Sequence, residues 1–413
     1  MEIVVERMCG LDVHKDTVVA CVRTPGERPG RRREVVRTFG TFVSQLAELA
    51  DWLVSEAVTQ VVMEATGVYW KPVWYALEDQ VELVLVNATQ VSKISGRKTD
   101  VKDAQWLAQL GECGLLRGSF VPPQPVRDLR DLTRYRKRLV QDRARESQRV
   151  QKVLEDGGIK LASVASDVLG RSGRDMLSAL IAGERDPNTL ADLAQRRMRS
   201  KIPRLRLALD PAHFRPHHGR MLAGHLAHVD YLNAAIADID KQVDQVIAPF
   251  AAAREQLMTI PGVGKLAATI ILAEIGPDMS VFPTAAHLSS WAGMCPGNKR
   301  SAGKNRSGRT PQGDPWLSAI LTECGWAVSR AKNNYLSAQF WQIARRRGQE
   351  RAAVAVGHSI LVIAWHLLSQ PGSTYQDLGG DYFQRRIDPA RRQQRLIKQL
   401  QALGLEVQIK QAA

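Results

Sequence analysis

Up to about residue 118 the chain alternates short apolar runs with longer amphipathic ones. CGLDVHKDTVVACVRT (9–24) is rich in apolar and β-branched residues on both sides of His14-Lys15-Asp16, and predicts two strands joined there. REVVRTFGTF (33–42) predicts a third strand. Apolar residues at helical spacing in SQLAELADWLVSEA (44–57) predict a helix, followed by a strand in TQVVMEAT, a helix in YWKPVWYALED, a strand in VELVLVNA and a helix opening at TDVKDAQWLAQL. Periodicity alone reads this stretch as mixed α/β.

FVPPQPVRD (120–128), with three prolines, breaks the pattern and marks a domain boundary. Beyond it the strand signal stops. Residues 127–154 form a long basic helix, and Leu222, His225, Val229, Leu232, Ile236, Ile239, Val243 and Val246 recur at spacings of three and four, a heptad seam. That seam packs either on the chain's own basic helix or on a second copy. LMTIPGVGKLAATIILAEIG (257–276) sets a Pro-Gly-Val-Gly turn between two apolar helical segments, the look of a helix-hairpin-helix. HSILVIAWHLL (358–368) reads as a core helix, too short and too polar to cross a bilayer, and residues 385–404 as a basic appended helix. The expected division is 1–118, an α/β domain; 119–250, a helical coiled-coil region; 251–372, a helical domain; and 373–413, a basic tail.

Charge then narrows the function. The 57 Lys and Arg exceed the 42 Asp and Glu, giving +15 and a pI near 9.8, a balance suited to a polyanion. Nucleic acid is the expected partner. Five scattered cysteines, none in a C-x-x-C pair, suggest neither a disulfide framework nor a zinc finger and fit a reducing cytoplasm. No secretory leader is recognisable and no membrane partner is expected. His213, His217, His218, His225 and His228 are dense, but without a cysteine or carboxylate pattern they make a weak case for metal.

The acids carry the sharper chemistry. Asp12 stands inside an apolar strand, where an unpaired carboxylate is costly, and Glu64 closes another. Asp100 and Asp103, three apart, share one face of a helix and repel each other. Taken singly they read as a strand-edge cap, a strand-end charge, an N-cap and a solvated helical acid. Taken together they suit a divalent cation, and Mg2+ prefers carboxylate oxygen and water.

Three antiparallel-type strands followed by αβαβα resembles the ribonuclease-H-like fold. LDVHKD, MEATGVYW and KTDVKDAQWLA resemble the local patterns of the DEDD tetrad in the RuvC-like domain of a family of bacterial insertion-sequence transposases, relatives of the Piv-type DNA invertases. The likeness covers roughly residues 8–118. It implies that Asp12, Glu64, Asp100 and Asp103 hold Mg2+ and assist phosphodiester chemistry.

WAGMCPGNKRSAGKNRSGRTPQGDPWL (291–317) holds five basic residues from Lys299 to Arg309 (Lys299, Arg300, Lys304, Arg306 and Arg309) and no acid before Asp314, a cationic loop suited to phosphate. Gly262, Gly264 and Lys265 of the Pro-Gly-Val-Gly turn, and Arg134 and Arg138 of the long helix, are further candidate contacts to nucleic acid, each with an ordinary structural alternative. The family resemblance adds a pattern of Pro, four residues, Ser, any residue, Gly, Lys, met by Pro296 to Lys304, which makes Ser301 the nucleophile. No local histidine offers itself as a base, so the carboxylate–metal site is the expected activator. The resemblance further implies double-stranded DNA as substrate, a guiding bridge RNA, a homo-oligomer and a bacterial, nucleoid-associated protein. A metal-only resolvase-like nuclease and a non-catalytic nucleic-acid-binding protein are the rival readings.

Overall fold

The computed structural model describes residues 2–28, 30–87, 100–297, 300–301, 304–305, 310–386 and 389–408; the side chains of Asp100, Arg300, Ser301 and Lys304 lie outside that description. The chain forms two compact units, Met1–Val121 and Pro122–Ala413.

The first unit is a five-stranded sheet with helices. β1 (Met8–Val13), β2 (Thr17–Pro25) and β3 (Arg32–Gly40) run antiparallel, α1 (Val43–Ser55) leads to β4 (Gln60–Glu64), and α2 (Trp70–Leu77) leads to β5 (Glu82–Val86). The strand order is β3-β2-β1-β4-β5, with β4 parallel to both β1 and β5. The parallel strands are near-continuous apolar runs because both faces are covered. Leu11, Val13, Val61 and Met63 pack with Leu49, Leu53, Val73 and Leu77 of α1 and α2 on one face. On the other, Met8, Cys21 and Val62 meet Ala104, Leu107 and Ala108 of α3 (Asp100–Glu112). This is the mixed α/β architecture of an RNase-H-like domain.

Two features fix α3 on the sheet. Gly10 has no side chain because α3 passes directly over it: a Cβ there would lie 2.2 Å from the Ala104 carbonyl oxygen and 2.5 Å from the Ala108 nitrogen. At the far end, buried Glu112 accepts from Arg23 Nε (3.0 Å) and Arg32 Nε (3.2 Å), a carboxylate clasped by two guanidiniums of β2 and β3.

The second unit is mostly helical. It contains α4 (Gln124–Asp156), α5 (Arg171–Ala182), α6 (Pro187–Asp192), α7 (Ile202–Ala208), α8 (Pro216–Val246), α9 (Ala251–Met258), α10 (Lys265–Ile275), α11 (Ala285–Trp291), a two-residue ladder of β6 (Arg300–Ser301) with β7 (Lys304–Asn305), α12 (Pro315–Ser329), α13 (Tyr335–Arg347), α14 (Gln349–Leu368), α15 (Tyr382–Arg385) and α16 (Pro389–Ala402).

The heptad seam is covered within the chain. α8 lies along α4, and Leu222, Val229, Leu232, Ile236, Ile239 and Val243 are buried. His225 is a correction to the seam: Leu226 takes the buried place, while His225 turns to the buried carboxylate of Glu146 on α4. A polar ring one position off the stripe reaches its acid without interrupting the apolar line.

The apolar stretch read at 358–368 belongs to a longer helix. α14 has 20 residues, long and apolar enough by length and composition to cross a membrane, which corrects the sequence expectation. Here it is a core helix, with Ala352, Ala353, Val356, Ile360, Leu361 and Ala364 buried against its neighbours α12 and α13.

Candidate active site

The sheet register brings two of the predicted acids together. Leu11 pairs with Met63 in the β1–β4 ladder, so Asp12 and Glu64 are the next step on adjacent parallel strands, at their C-terminal ends. Side chains alternate along a strand, which places both on the face of Gly10 and Val62, the face covered by α3. α3 runs antiparallel to β1: the Val4 amide donates to the Glu112 carbonyl (2.7 Å), and Ala104 sits over Gly10. The start of α3, with Asp103 and the backbone of Asp100, therefore lies towards the Asp12 end of the strand. Asp12, Glu64 and Asp103 are all half-buried.

Asp12 has a neighbour that the motif concealed. His14 Nε2 lies 3.1 Å from Asp12 Oδ2, across the turn that joins β1 to β2. Asp12, Glu64 and Asp103 do not close to within 4.8 Å of one another as a set. Mg2+ commonly takes one or two carboxylates and completes its shell with water or phosphate, so the oxygen donor types of this set suit such an ion although the three carboxylates do not converge as one cluster.

The group whose ligand atoms do converge within 4.8 Å among the described residues is Asp156, His217 and His218. Its geometry is that of a helix cap. His218 Nδ1 accepts from the Arg215 amide (3.0 Å), so Nε2 carries the proton and donates to Asp156 (2.9 Å). Both ring nitrogens are thereby committed to closing the start of α8 on the end of α4.

The cationic loop is pinched at its base. Gly293 and Gly313 touch backbone to backbone, a Cβ on Gly293 falling 2.7 Å from the Gly313 nitrogen, so the segment between them leaves and returns at one place. Ser301 pairs with Lys304 in the short ladder. Lys299, Arg306 and Arg309 lie outside the described residues.

The remaining candidates divide. Arg134 does not face solvent with a free guanidinium: Nε and a terminal nitrogen donate to the fully buried Glu274 (2.9 and 2.7 Å), and the latter also to Asp314 (3.1 Å), the N-cap of α12. Arg130 adds bonds to the Ala273 and Glu274 carbonyls. Burial pushes the Glu274 carboxyl up to about 7, with Asp314 adding to the rise and Arg134 and Arg130 opposing it. The sequence concealed Glu274, because nothing local distinguishes a buried helical acid from a solvated one. Arg138 stays exposed, its guanidinium 5.9 Å from the Trp316 ring.

In the turn before α10, Gly262 has φ +86°, and a Cβ there would sit 2.4 Å from Val328 Cγ2. Packing against α12 accounts for that glycine. Gly264 caps α10 with open space around it, and Lys265 pairs with Asp244 at 2.8 Å.

Comparison with known proteins agrees with both halves. Residues 9–157 match a family model for the DEDD transposase of IS110 elements, and residues 254–342 match one described as "Transposase IS116/IS110/IS902 family". The chain is 25% identical over 374 residues to "Transposase for insertion sequence element IS1111A" of Coxiella burnetii, covering 88% of this chain and 90% of that protein. It is 42% identical over 57 residues, 14% of each chain, to an IS110 insertion-element protein of Streptomyces coelicolor. An RNase-H-like sheet with Asp12 and Glu64 at its strand ends, Asp103 on the covering helix, and the matches of both family models identify the chain as a DNA transposase of the IS110 family.

Proposed function

We propose that this transposase cleaves and rejoins DNA through a covalent phosphoserine link at Ser301, assisted by Mg2+ and guided by a bridge RNA, as a homo-oligomer. The observation that carries the reading is the placement of Asp12 and Glu64 on neighbouring parallel strand ends beneath the helix of Asp103. Asp12, Glu64 and Asp103, with Asp100, would hold the ion, which when bound supplies electrostatic stabilisation of a phosphodiester under attack. His14 orients Asp12 through its Nε2 contact. The close approach of Gly293 and Gly313 brings the two ends of the cationic segment together, and that segment's serine, lysines and arginines are the groups we assign to phosphate. After the α/β domain we propose a helical region at 119–250, a transposase region at 251–372 with a helix-hairpin-helix around Gly262, Gly264 and Lys265, and a basic tail at 373–413.

The test is covalent capture. Protein incubated with plasmid carrying its own element, RNA transcribed from the flanking non-coding DNA and Mg2+ should leave DNA joined to the peptide that contains Ser301. Ser301→Ala should abolish adduct and recombination, and Ser307→Ala should keep both. Recombination by Ser301→Ala at the parental rate would show that water, activated at the acidic site, does the cutting.

A further inference from the structure

Residues 193–209, in the short-helix region between α4 and α8, carry six basic side chains and no acid. Arg196, Arg197, Arg199 and Lys201 lie on a 3-10 turn (Arg196–Lys201), Arg204 and Arg206 on α7, and all six are exposed. Gln195 anchors the start of this ridge: its amide donates to Ser172 Oγ (2.9 Å) and its side chain to Asp175 (2.6 Å), both on α5. The chain then passes through Arg196 at φ +50°, a left-handed conformation that residues other than Gly and Asn rarely adopt. Behind the ridge, Leu205, Ala208 and Leu209 are buried in one core with Val150, Val153 and Leu154 of α4 and Leu222 of α8, and the Lys160 amide donates to the Ala208 carbonyl (2.8 Å). The ridge is thereby fixed to the end of α4.

The protein itself takes up little of this charge. Among the described residues Arg196, Arg197 and Arg199 are in no ion pair, Lys201 and Arg204 reach the carbonyls of Val164 (2.8 Å) and Ser163 (3.4 Å), and Arg206 meets Asp192 at 3.7 Å. On α4, by contrast, Arg136 is answered by Asp240, Lys137 by Glu323 and Arg149 by Glu146. Like charges held on one folded surface repel each other, and a polyanion relieves that repulsion. A cavity of about 610 Å3 at the head of the ridge has Arg171, Arg196 and Arg197 in its lining; the acid there, Asp167, is engaged by the Leu169 amide (3.0 Å). No aromatic residue occurs in 193–209, so the ridge has no platform on which unpaired bases could stack, and it suits the phosphate backbone of a duplex. α4 also sets its distance from the cationic segment. Arg134, towards one end of α4, bonds Asp314 beside the Gly293–Gly313 contact, and Leu154, towards the other, packs in the core behind the ridge. About 20 residues of continuous helix separate them, roughly 30 Å at 1.5 Å per residue. One turn of B-DNA is about 34 Å.

We propose that the ridge from Arg196 to Arg206 grips the backbone of double-stranded DNA about one helical turn from the cut position, with α4 as the rigid spacer. This rests on the proposed function only for DNA being held at the base of the cationic segment. Duplex DNA is stiff over roughly 150 base pairs, so a straight duplex running along α4 meets both ends of that helix without a bending cost. The ridge contributes affinity and register rather than sequence choice, because phosphates are the same at every step.

Two measurements on the full chain decide it. Without Mg2+, Arg196→Gln/Arg197→Gln/Arg199→Gln should bind a fluorescein-labelled DNA duplex of about 30 base pairs about tenfold more weakly at low salt, and the slope of log affinity against log salt should shrink by about 2 to 3, since each lost phosphate contact removes roughly 0.9. Should the change at Arg196 disturb the left-handed turn, Arg197→Gln/Arg199→Gln alone should still shrink the slope by about 2. Hydroxyl-radical footprinting on DNA carrying the element's own ends, with RNA transcribed from the flanking non-coding DNA, should show the parent protecting a tract about ten base pairs from the cut position, and the variants leaving that tract open. Parental affinity and salt slope in the variants, or no such tract in the parent, overturns the proposal. Weakened binding of that RNA with DNA binding unchanged overturns it as well and gives the ridge to RNA. Ser301→Ala run in parallel separates the two readings: it should keep the tract, so a failure of the serine chemistry leaves the ridge standing, and a missing tract with Ser301-linked DNA still formed removes the ridge alone.

Discussion

Gly10 and Ala104 are in backbone contact: a single methyl group on Gly10 would come within 2.2 Å of the Ala104 carbonyl oxygen. That contact sets the height of α3 over the sheet, and with it how near Asp103 comes to Asp12 and Glu64. Gly10→Ala is therefore expected to destabilise the protein by about 3 kcal/mol, the upper end of overpacking costs, because backbone rather than a flexible side chain must yield. Urea denaturation checks it, and a shift below about 1 kcal/mol would mean that α3 rides freely.

Asp12→Asn and Asp103→Asn should each abolish strand cleavage in Mg2+ while leaving DNA binding within about twofold, since each removes a negative ligand without adding bulk. Chelation of divalent ions should reproduce the loss in the parent. Full cleavage by Asp12→Asn would remove the metal role from the strand-end acids.

Glu112→Ala should cost about 3 kcal/mol, the low end for breaking a buried ion pair, because Arg23 and Arg32, only 12% and 13% exposed, lose their shared carboxylate while Arg23 keeps Glu34 and Arg32 keeps its backbone carbonyl partners. Denaturation followed in the isolated variant reads this directly. A near-neutral result would show that water replaces the carboxylate.

Two buried acids give opposite pH slopes. Glu274 sits above its ordinary 4.5, so its contribution to stability is complete below about 4.5 and is lost as pH rises towards 7; Glu274→Gln should flatten that fall. Burial alone would raise Glu146, but His225 and Arg149 hold it below the usual carboxylate range. Its contribution is present above about 4.5 and disappears as pH drops further, so Glu146→Gln should lessen acid sensitivity. Denaturation midpoints at pH 3.5, 5.5 and 7.5 (values on the order of these suffice to bracket the shifts) distinguish the two.

DNA affinity should fall steeply with salt, following the formal +15 and the exposed arginines at 345–351. A flat response between low and physiological ionic strength would assign the charge excess to another role.

The sequence by itself determined the α/β alternation of the first 118 residues, a misplaced charge at Asp12 inside one apolar strand and at Glu64 closing another, and the pairing of Asp100 with Asp103 on one helix, because these are local: a period of two or 3.6 and a misplaced charge are visible without neighbours; that Asp12 and Glu64 end side by side was decided by the sheet register. The heptad spacing likewise announced α8. What covers that seam was decided by tertiary structure, since a stripe of apolar residues suits α4 or a second copy equally well, and the choice between His225 and Leu226 turned on the carboxylate of Glu146. The same holds for Arg134: a basic helix looks the same whether its arginines await phosphate or are clasped by Glu274, and only the packing of α4 on α10 buries that acid. His358 shows the reverse case. Within HSILVIAWHLL it reads as one polar residue in a core helix, and its place beside Pro296 and Thr310 arises from the close approach of α14 to α12, a contact between residues far apart in sequence that no local pattern encodes.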